Sequence, residues 1–167
     1  MRHSLCLPRI IMKYIIIKGA KSSGKSETIM TICKRLNPSL IHRLDFDDRG
    51  LPSLYAVPVT DLVGGTYIIT VRKKAILLVA EAPTEQRKRI TEILDAVHSS
   101  GIKLEFAIIA MCGLEKLKDF ATSKELEQFG SCIYQTKIWR IPANKFKITD
   151  EWEKRISHLT SITLHYV

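Results

Sequence analysis

Residues 15–29 read IIIKGAKSSGKSETI: an apolar run, a short glycine-containing loop and the start of a helical pattern. The apolar run belongs to KYIIIK at residues 13–18, which has the β-branched and aromatic composition of a strand. Its continuous apolarity is typical of a strand buried on both faces of a parallel sheet. Beyond the loop, apolar residues recur at helical spacing, at Ile29, Ile32, Cys33 and Leu36. The stretch therefore predicts a strand, a turn and an amphipathic helix in direct succession.

The loop between this strand and this helix is residues 19–26, GAKSSGKS. Gly19 and Gly24 permit backbone angles that a Cβ forbids, so successive N–H groups can turn inward around an anion. The helix that begins at Lys25 points its positive end at the same place, and the Lys25 ammonium adds a mobile charge. The Ser26 hydroxyl adds a hard oxygen ligand of the kind that Mg²⁺ prefers. The loop therefore predicts binding of a phosphate group together with Mg²⁺.

The 19–26 loop fits G-x-x-x-x-G-K-[ST] at every fixed position and resembles the phosphate-binding loop of the P-loop NTPase superfamily. The resemblance in sequence covers residues 13–36. Outside them, only the predicted order of strands and helices is similar. It implies binding of a nucleoside triphosphate, ATP being the favoured one, with Lys25 acting on the β- and γ-phosphates. The overall layout also resembles small kinases and small bacterial P-loop proteins, without identifying a subfamily. The resemblance assigns nucleotide binding to Gly19, Ala20, Lys21, Ser22, Ser23, Gly24, Lys25, Ser26 and Glu27.

A P-loop enzyme also needs an acid that orders the water shell of Mg²⁺, and the sequence offers two candidate sites. Glu81 directly follows the apolar run AILLVA, which by the resemblance is the Walker B position. Asp45 and Asp47 follow the predicted second strand, where small-molecule kinases of the superfamily carry an Asp-x-Asp. A solvated acidic turn is the other interpretation of those two residues. The resemblance thus implies Lys25 and Glu81 as catalytic residues, and metal ligands drawn from Ser26, Glu81, Asp45 and Asp47.

The antiparallel strand pair predicted before Glu81 resembles that of the small GTPases. Two sequence motifs of those proteins are nevertheless missing. The stretch at the switch position reads Glu81-Ala82-Pro83-Thr84, without the Asp and the Gly of that motif. Residues 144–147 read NKFK, with a lysine where the guanine-reading Asn-Lys-x-Asp ends in an acid. A GTPase switch is therefore disfavoured.

The rest of the chain predicts an α/β fold. Residues 47–65 contain several prolines and glycines and read as a long loop, and two β-rich runs around Arg72-Lys73-Lys74 predict an antiparallel hairpin. Later elements are a helix capped by Thr84, a strand at 104–110, a helix at 114–129, a strand at 132–141 with Trp139 in the core, and a helix from Thr149. This order predicts a three-layer sandwich with a mostly parallel sheet and one antiparallel hairpin, which is the P-loop nucleoside triphosphate hydrolase fold.

Composition sets the outer limits. The chain has 167 residues, which suits a single domain. The domain is predicted over residues 12–167, and residues 1–11 are predicted to be an N-terminal extension, disorder being one option for it. The net charge of +9 favours anionic partners without choosing among them. Apolar runs fall short of the roughly 20 residues that span a bilayer, so no membrane partner is expected. The four cysteines form no CxxC pair and are expected to be buried free thiols in a reducing cytoplasm.

Together these features predict a Mg²⁺-dependent, nucleoside triphosphate-binding protein. The leading expectation is a small kinase-like phosphotransferase acting on an unidentified small acceptor. The alternative is a nucleotide-binding or hydrolysing module that acts through a partner protein, with the loop at 47–65 ordering around the γ-phosphate. Direct binding of nucleic acid rests on the net charge alone. Candidates for the extra positive charge that phosphoryl transfer needs are Arg87, Arg89, Lys116 and Lys118, which also suit a solvated surface.

Overall fold

A computed structural model describes residues 12–167, so the predicted extension at 1–11 lies outside the described residues. Short 3₁₀ turns occur at Val59–Asp61 and Phe146–Ile148. The strands are β1 (Met12–Gly19), β2 (Leu40–Phe46), β3 (Pro52–Ala56), β4 (Thr66–Val71), β5 (Lys74–Val79), β6 (Leu104–Cys112) and β7 (Gly130–Lys137). The helices are α1 (Lys25–Leu36), α2 (Pro83–Gln86), α3 (Ile90–Ser99), α4 (Thr122–Leu126) and α5 (Asp150–Tyr166).

All seven strands lie in one sheet, in the order β3-β2-β4-β5-β6-β1-β7. β1 lies between β6 and β7 and is parallel to both, and β5 is parallel to β6. β2 pairs antiparallel with β3 and β4, and β4 pairs antiparallel with β5. The sheet is therefore mixed, and the prediction of a mostly parallel sheet is wrong. The physical reason is that the short connections β2–β3 and β4–β5 can join only antiparallel neighbours.

The predicted hairpin with a charged turn is confirmed as β4–β5. Its turn residues Arg72 and Lys73 both have positive φ, 52° and 66°. Two successive left-handed residues form the tight turn whose twist matches that of the flanking strands.

Helices cover both faces of the sheet. Side chains alternate along a strand, so Ile15 and Ile17 of β1 lie in one core with α1 and α5, while Tyr14 and Ile16 lie in the other with α3. β1 is thus buried on both faces, as its continuous apolarity predicts. The three-layer α/β arrangement is confirmed at this level. None of the helices within residues 12–167 is long and apolar enough to cross a membrane.

Two expected helices differ from the prediction. The predicted helix at 114–129 is reduced to α4, and Leu114 is 79% exposed, because the residues before α4 present no apolar stripe to the sheet. The helix predicted from Thr84 is divided into α2 and α3. Arg87 has a left-handed φ of 53° between them, which interrupts helical hydrogen bonding.

The predicted loop at 47–65 and the predicted strand at 132–141 also differ from the structure. The predicted loop at 47–65 contains β3, an edge strand whose first residue, Pro52, needs no N–H for the sheet. β7 ends at Lys137, and beyond it Ile138 and Ile141 turn into the core while Trp139 points away from it. Trp139 is therefore 65% exposed, and its predicted place in the core is wrong.

The cysteines occupy different environments. Cys33 is buried, Cys112 is half-buried and Cys132 is exposed, and all three are free thiols. The expectation of buried thiols is therefore wrong for Cys132, which lies on the edge strand β7. Cys6 lies outside the described residues.

Burial raises the pKa of the Cys33 thiol from 9.0 to about 12. Between pH 9 and about 12 the folded state keeps the thiol proton that the unfolded chain loses. The free energy of unfolding is therefore unaffected by this thiol below pH 9 and falls as the pH rises towards 12. From about pH 8 to about pH 11, we expect the free energy of unfolding to fall in both the wild type and Cys33→Ala. The fall should be smaller in Cys33→Ala, by on the order of 2 kcal/mol, because that variant has no thiol to titrate. Urea denaturation at both pH values measures this, and Cys132→Ala should follow the wild type.

Candidate functional site

The 19–26 loop joins the carboxyl end of β1 to the N-terminus of α1. Ser22 and Gly24 have positive φ values of 65° and 95°, and the Ser23 N–H donates to the Ala20 carbonyl at 3.1 Å. A Cβ on Gly19 would lie 2.2 Å from Ser23 Oγ, so the loop packs tightly over its own first residue. No side chain of the described residues caps α1. Because the first turn of a helix has unsatisfied N–H donors, this end of α1 is suited to an anion.

Lys25 lies beneath the loop with its side chain only 5% exposed. Its Nζ donates to the Gly19 carbonyl at 2.8 Å and to the Ala20 carbonyl at 2.9 Å. Glu85 Oε1 lies 3.3 Å from the same nitrogen. These contacts compensate the burial of a charge and fix its position at the first turn of α1.

The Ser23 hydroxyl is buried and has no hydrogen-bond partner within residues 12–167. Buried polar groups in native proteins are nearly always paired, so an orphan of this kind needs an explanation. Ser23 lines the adjoining cavity, but its Oγ is closed off from solvent and lies over Gly19, 2.2 Å from the position of a Cβ there. The hydroxyl therefore packs against the loop itself.

The loop faces a cavity of about 660 Å³. Four parts of the chain form it: the loop with the start of α1, Gly64 before β4, the residues after β5 with α2, and the segment from β7 into α5. The lining residues are Ser22, Ser23, Gly24, Lys25, Ser26, Glu27, Gly64, Ala80, Glu81, Glu85, Arg140, Ile141, Pro142, Ala143, Asn144, Phe146, Trp152 and Arg155.

The structure brings Ser26 and Glu81 together in this cavity. A Cβ built on Gly64 would lie 3.7 Å from Ser26 Oγ and 3.6 Å from Glu81 Oε2, so both oxygens face the same point. Gln86 Nε2 donates to the Glu81 carbonyl at 2.6 Å, which fixes the backbone of that residue. A hydroxyl and a carboxylate are the protein share of a typical Mg²⁺ site, in which phosphates and water supply the other oxygens.

Asp45 and Asp47 lie outside the cavity lining and make other contacts. Asp45 accepts hydrogen bonds from Arg43 Nε at 2.9 Å and from the Tyr55 hydroxyl. Partial burial raises the pKa of Asp45, but the hydrogen bonds from Tyr55 and Arg43 outweigh it and leave that pKa below its ordinary 3.8. Asp47 accepts the N–H groups of Arg49 and Leu51, each at 2.9 Å, and so closes its own turn. Within residues 12–167, no cluster of three or more His, Cys, Asp or Glu is arranged to hold a metal.

The other predicted site residues lie at or near the loop. Ala20 and Lys21 are exposed and lie outside the cavity lining, although the Ala20 carbonyl holds Lys25. Glu27 lines the cavity, and its carboxylate forms an ion pair with Lys147 at 2.7 Å.

Sequence reasoning missed the cavity wall formed by residues 140–155. Arg155 Nη2 donates to the Trp139 carbonyl at 2.8 Å, and its Nη1 lies 3.4 Å from the position of a Cβ on Gly24. Burial lowers the pKa of Arg155. Arg140 and Asn144 line the same wall, whereas Arg87, Arg89, Lys116 and Lys118 do not. Arg155 could have been predicted from helical spacing. Trp152 is buried on the inner face of α5, and Arg155 lies one helical turn further along the same face.

The arrangement suits an anion with several charged oxygens that is bound together with a divalent cation. The N-terminus of α1 and the Lys25 ammonium would receive the anion, and Ser26 with Glu81 would contact the cation. Comparison of the chain with protein-family models, curated proteins and solved structures found no match.

Proposed function

We propose that this protein binds a nucleoside triphosphate with Mg²⁺, and that its fold is that of the P-loop NTPases. One observation carries the proposal: the 19–26 loop holds the buried Lys25 and the uncapped start of α1 against one cavity. Backbone N–H groups and an ammonium directed at one place form the physical basis of phosphate binding.

The cavity lining favours adenine over guanine. It includes the apolar side chains of Ile141, Pro142 and Trp152 and the amide of Asn144. An aromatic base suits such a wall, and an amide can donate to or accept from its edge. Guanine recognition commonly uses a carboxylate, and residues 140–146 contain none. Lys147 stands where that acid would be expected and forms an ion pair with Glu27.

Ser26 and Glu81 would hold the Mg²⁺ of the bound nucleotide. When bound, the ion neutralises negative charge on the β- and γ-phosphates. Lys25 would bind and orient the same phosphates, and Gln86 would keep Glu81 in place through the Glu81 carbonyl. Asp45 and Asp47 have no part in this proposal. Asp45 lies within β2, not after it, and is engaged by Arg43 and Tyr55, while Asp47 closes the β2–β3 turn.

The leading reaction is kinase-like transfer of the γ-phosphate to a small acceptor. In support, the carboxylates of Glu81 and Glu85 both line the phosphate end of the cavity. A carboxylate at this place can orient an acceptor hydroxyl for attack on the phosphorus.

A nucleotide-binding module that acts through a protein partner is the second candidate function. The segment after β3 exposes apolar side chains, with Val59 43% and Val63 58% exposed. It ends at Gly64 and Gly65, and the Gly65 carbonyl accepts the N–H groups of Ala80 at 2.8 Å and Glu81 at 3.3 Å. The segment thus connects an exposed apolar surface to the proposed metal ligand, so occupancy at the phosphates can alter what that surface presents.

Thermal unfolding with a panel of nucleotides tests the proposal. At a nucleotide concentration of about 100 Kd, binding stabilises a protein by about 2.7 kcal/mol. For a chain of this size we expect ATP with Mg²⁺ to raise the melting temperature by roughly 5–10 °C, and GTP to raise it less. If no nucleotide raises it, the proposal fails. Consumption of ATP in an acceptor library then separates the phosphotransferase from the binding module.

Replacing the acid at each candidate metal site tests which one serves Mg²⁺. We expect Glu81→Gln to lose most of the additional stabilisation that Mg²⁺ gives to bound ATP, because a hard anionic ligand is removed. Asp45→Asn should keep it, since Asp45 is engaged by Arg43 and Tyr55. Melting temperatures in ATP are compared with Mg²⁺ and with a chelator. An unaltered Mg²⁺ effect in Glu81→Gln would remove Glu81 from the proposed metal site.

A further inference from the structure

The Lys25 ammonium is fully occupied in the structure. An ammonium has three N–H donors. The Gly19 carbonyl lies at 2.8 Å from Lys25 Nζ, the Ala20 carbonyl at 2.9 Å, and Glu85 Oε1 at 3.3 Å. A phosphate can therefore bind this ammonium only by replacing one of these three neighbours.

Glu85 is the neighbour that can be replaced. The two carbonyls belong to the backbone of the 19–26 loop and cannot leave without refolding it. The Glu85 carboxylate lies at the end of a flexible side chain on α2 and is 29% exposed. Its other contact is a weak one, from the Cys112 thiol at 3.5 Å. Carboxylate and phosphate thus compete for a single cation.

The displaced carboxylate would remain close to the phosphates. Glu85 is on the four-residue helix α2, and Gln86 of the same helix is bonded to the Glu81 carbonyl at 2.6 Å. Glu81 and Glu85 therefore face the phosphate end of the cavity from one short segment. Two carboxylates repel a free triphosphate strongly, and they repel it less when a divalent cation neutralises part of its charge.

We propose that Glu85 is a specificity-determining residue, which makes the site prefer metal-bound nucleotides and reject the free anion. Its carboxylate holds Lys25 before the nucleotide binds and repels the phosphates afterwards unless a cation is present. This inference rests on the proposed function. It predicts that substituting Glu85 strengthens ATP binding, whereas removing a charged group from a binding cavity commonly weakens it.

Titration of ATP into the purified protein, with Mg²⁺ and separately with a chelator, tests this inference. We expect Glu85→Gln to bind ATP on the order of tenfold more tightly than the wild type in the chelator. With Mg²⁺ the gain should shrink to roughly two- to threefold, because the cation already screens the carboxylate. The preference for Mg²⁺-ATP over free ATP should therefore fall. Glu85→Ala should show the same direction, and melting temperatures without nucleotide confirm that both variants fold.

Glu105→Gln is the matched control. It removes the same charge, but Glu105 is exposed on β6 and lies outside the cavity lining, so its removal should leave ATP affinity within about twofold. An equal gain in Glu105→Gln would overturn the inference by showing a general charge effect. If the wild type binds Mg²⁺-ATP and Glu85→Gln gains nothing in the chelator, the inference fails and the proposed function stands. If none of the proteins binds ATP under either condition, both fail.

Discussion

Lys25→Ala is expected to lose most of the stabilisation of the protein by ATP. In the proposed complex Lys25 contacts the β- and γ-phosphates, and a hydrogen bond to a charged group contributes about 1.5–3 kcal/mol. The higher value corresponds to roughly a 100-fold weaker affinity. At the ATP concentration that raises the melting temperature of the wild type by roughly 5–10 °C, the variant should gain only about 1 °C.

The measurement must be the shift caused by ATP and not the melting temperature alone. Lys25 also donates to the Gly19 and Ala20 carbonyls, so its removal lowers the intrinsic stability of the loop. Lys21→Ala is the matched control, because Lys21 lies in the same loop with its side chain exposed and outside the cavity lining. It should keep nearly the whole shift. An equal ATP shift in Lys25→Ala and the wild type would refute the assignment of the loop.

Gly130→Ala is expected to destabilise the fold by more than about 3 kcal/mol or to prevent folding. Gly130 begins β7 and is paired with Met12 of β1. A Cβ at Gly130 would lie 1.7 Å from the Met12 carbonyl oxygen and 2.6 Å from its carbonyl carbon. These are backbone atoms, so the conflict cannot be relieved by a change of rotamer, and the two strands must move apart.

Gly113→Ala is the matched control for Gly130→Ala. A Cβ on Gly113 would have no heavy atom within 4 Å. The two substitutions change the entropy of the unfolded chain alike, so the difference between them reports the folded state. Thermal unfolding should give a wild-type-like melting temperature for Gly113→Ala and one lower by at least roughly 6–12 °C for Gly130→Ala. Similar stability of the two variants would contradict the pairing of Gly130 with Met12.

The segment from β1 to α1 was predictable because each of its parts is determined locally. A buried strand has a continuous apolar sequence, a helix has its period, and the glycines between them mark the turn. The β4–β5 hairpin was predictable for the same reason, since its two-residue turn and its strands are adjacent in the chain. α5 was marked by its N-cap, because Thr149 Oγ1 accepts the N–H of Trp152 at 3.2 Å.

The segments that were not predictable depend on distant parts of the chain. β3 exists because β2 offers it hydrogen bonds, and its five residues have too little periodicity to indicate a strand. The exposure of Trp139 follows from the end of β7 at Lys137, which the alternating sequence does not mark. Arg140, Asn144 and Arg155 meet the 19–26 loop across more than 100 residues of chain, and they share no motif with it.

The position of β1 in the sheet has a consequence for the order in which the chain folds. Within residues 12–167, the sheet neighbours of β1 are β6 and β7, which lie at Leu104–Cys112 and Gly130–Lys137. Strands β2 to β5 make most of their pairings with one another, so they can assemble while a ribosome is still making the rest. β1 must wait for pairings that are far away in the chain, and such pairings form slowly. The 19–26 loop at its end is therefore completed late, after β7 has been synthesised.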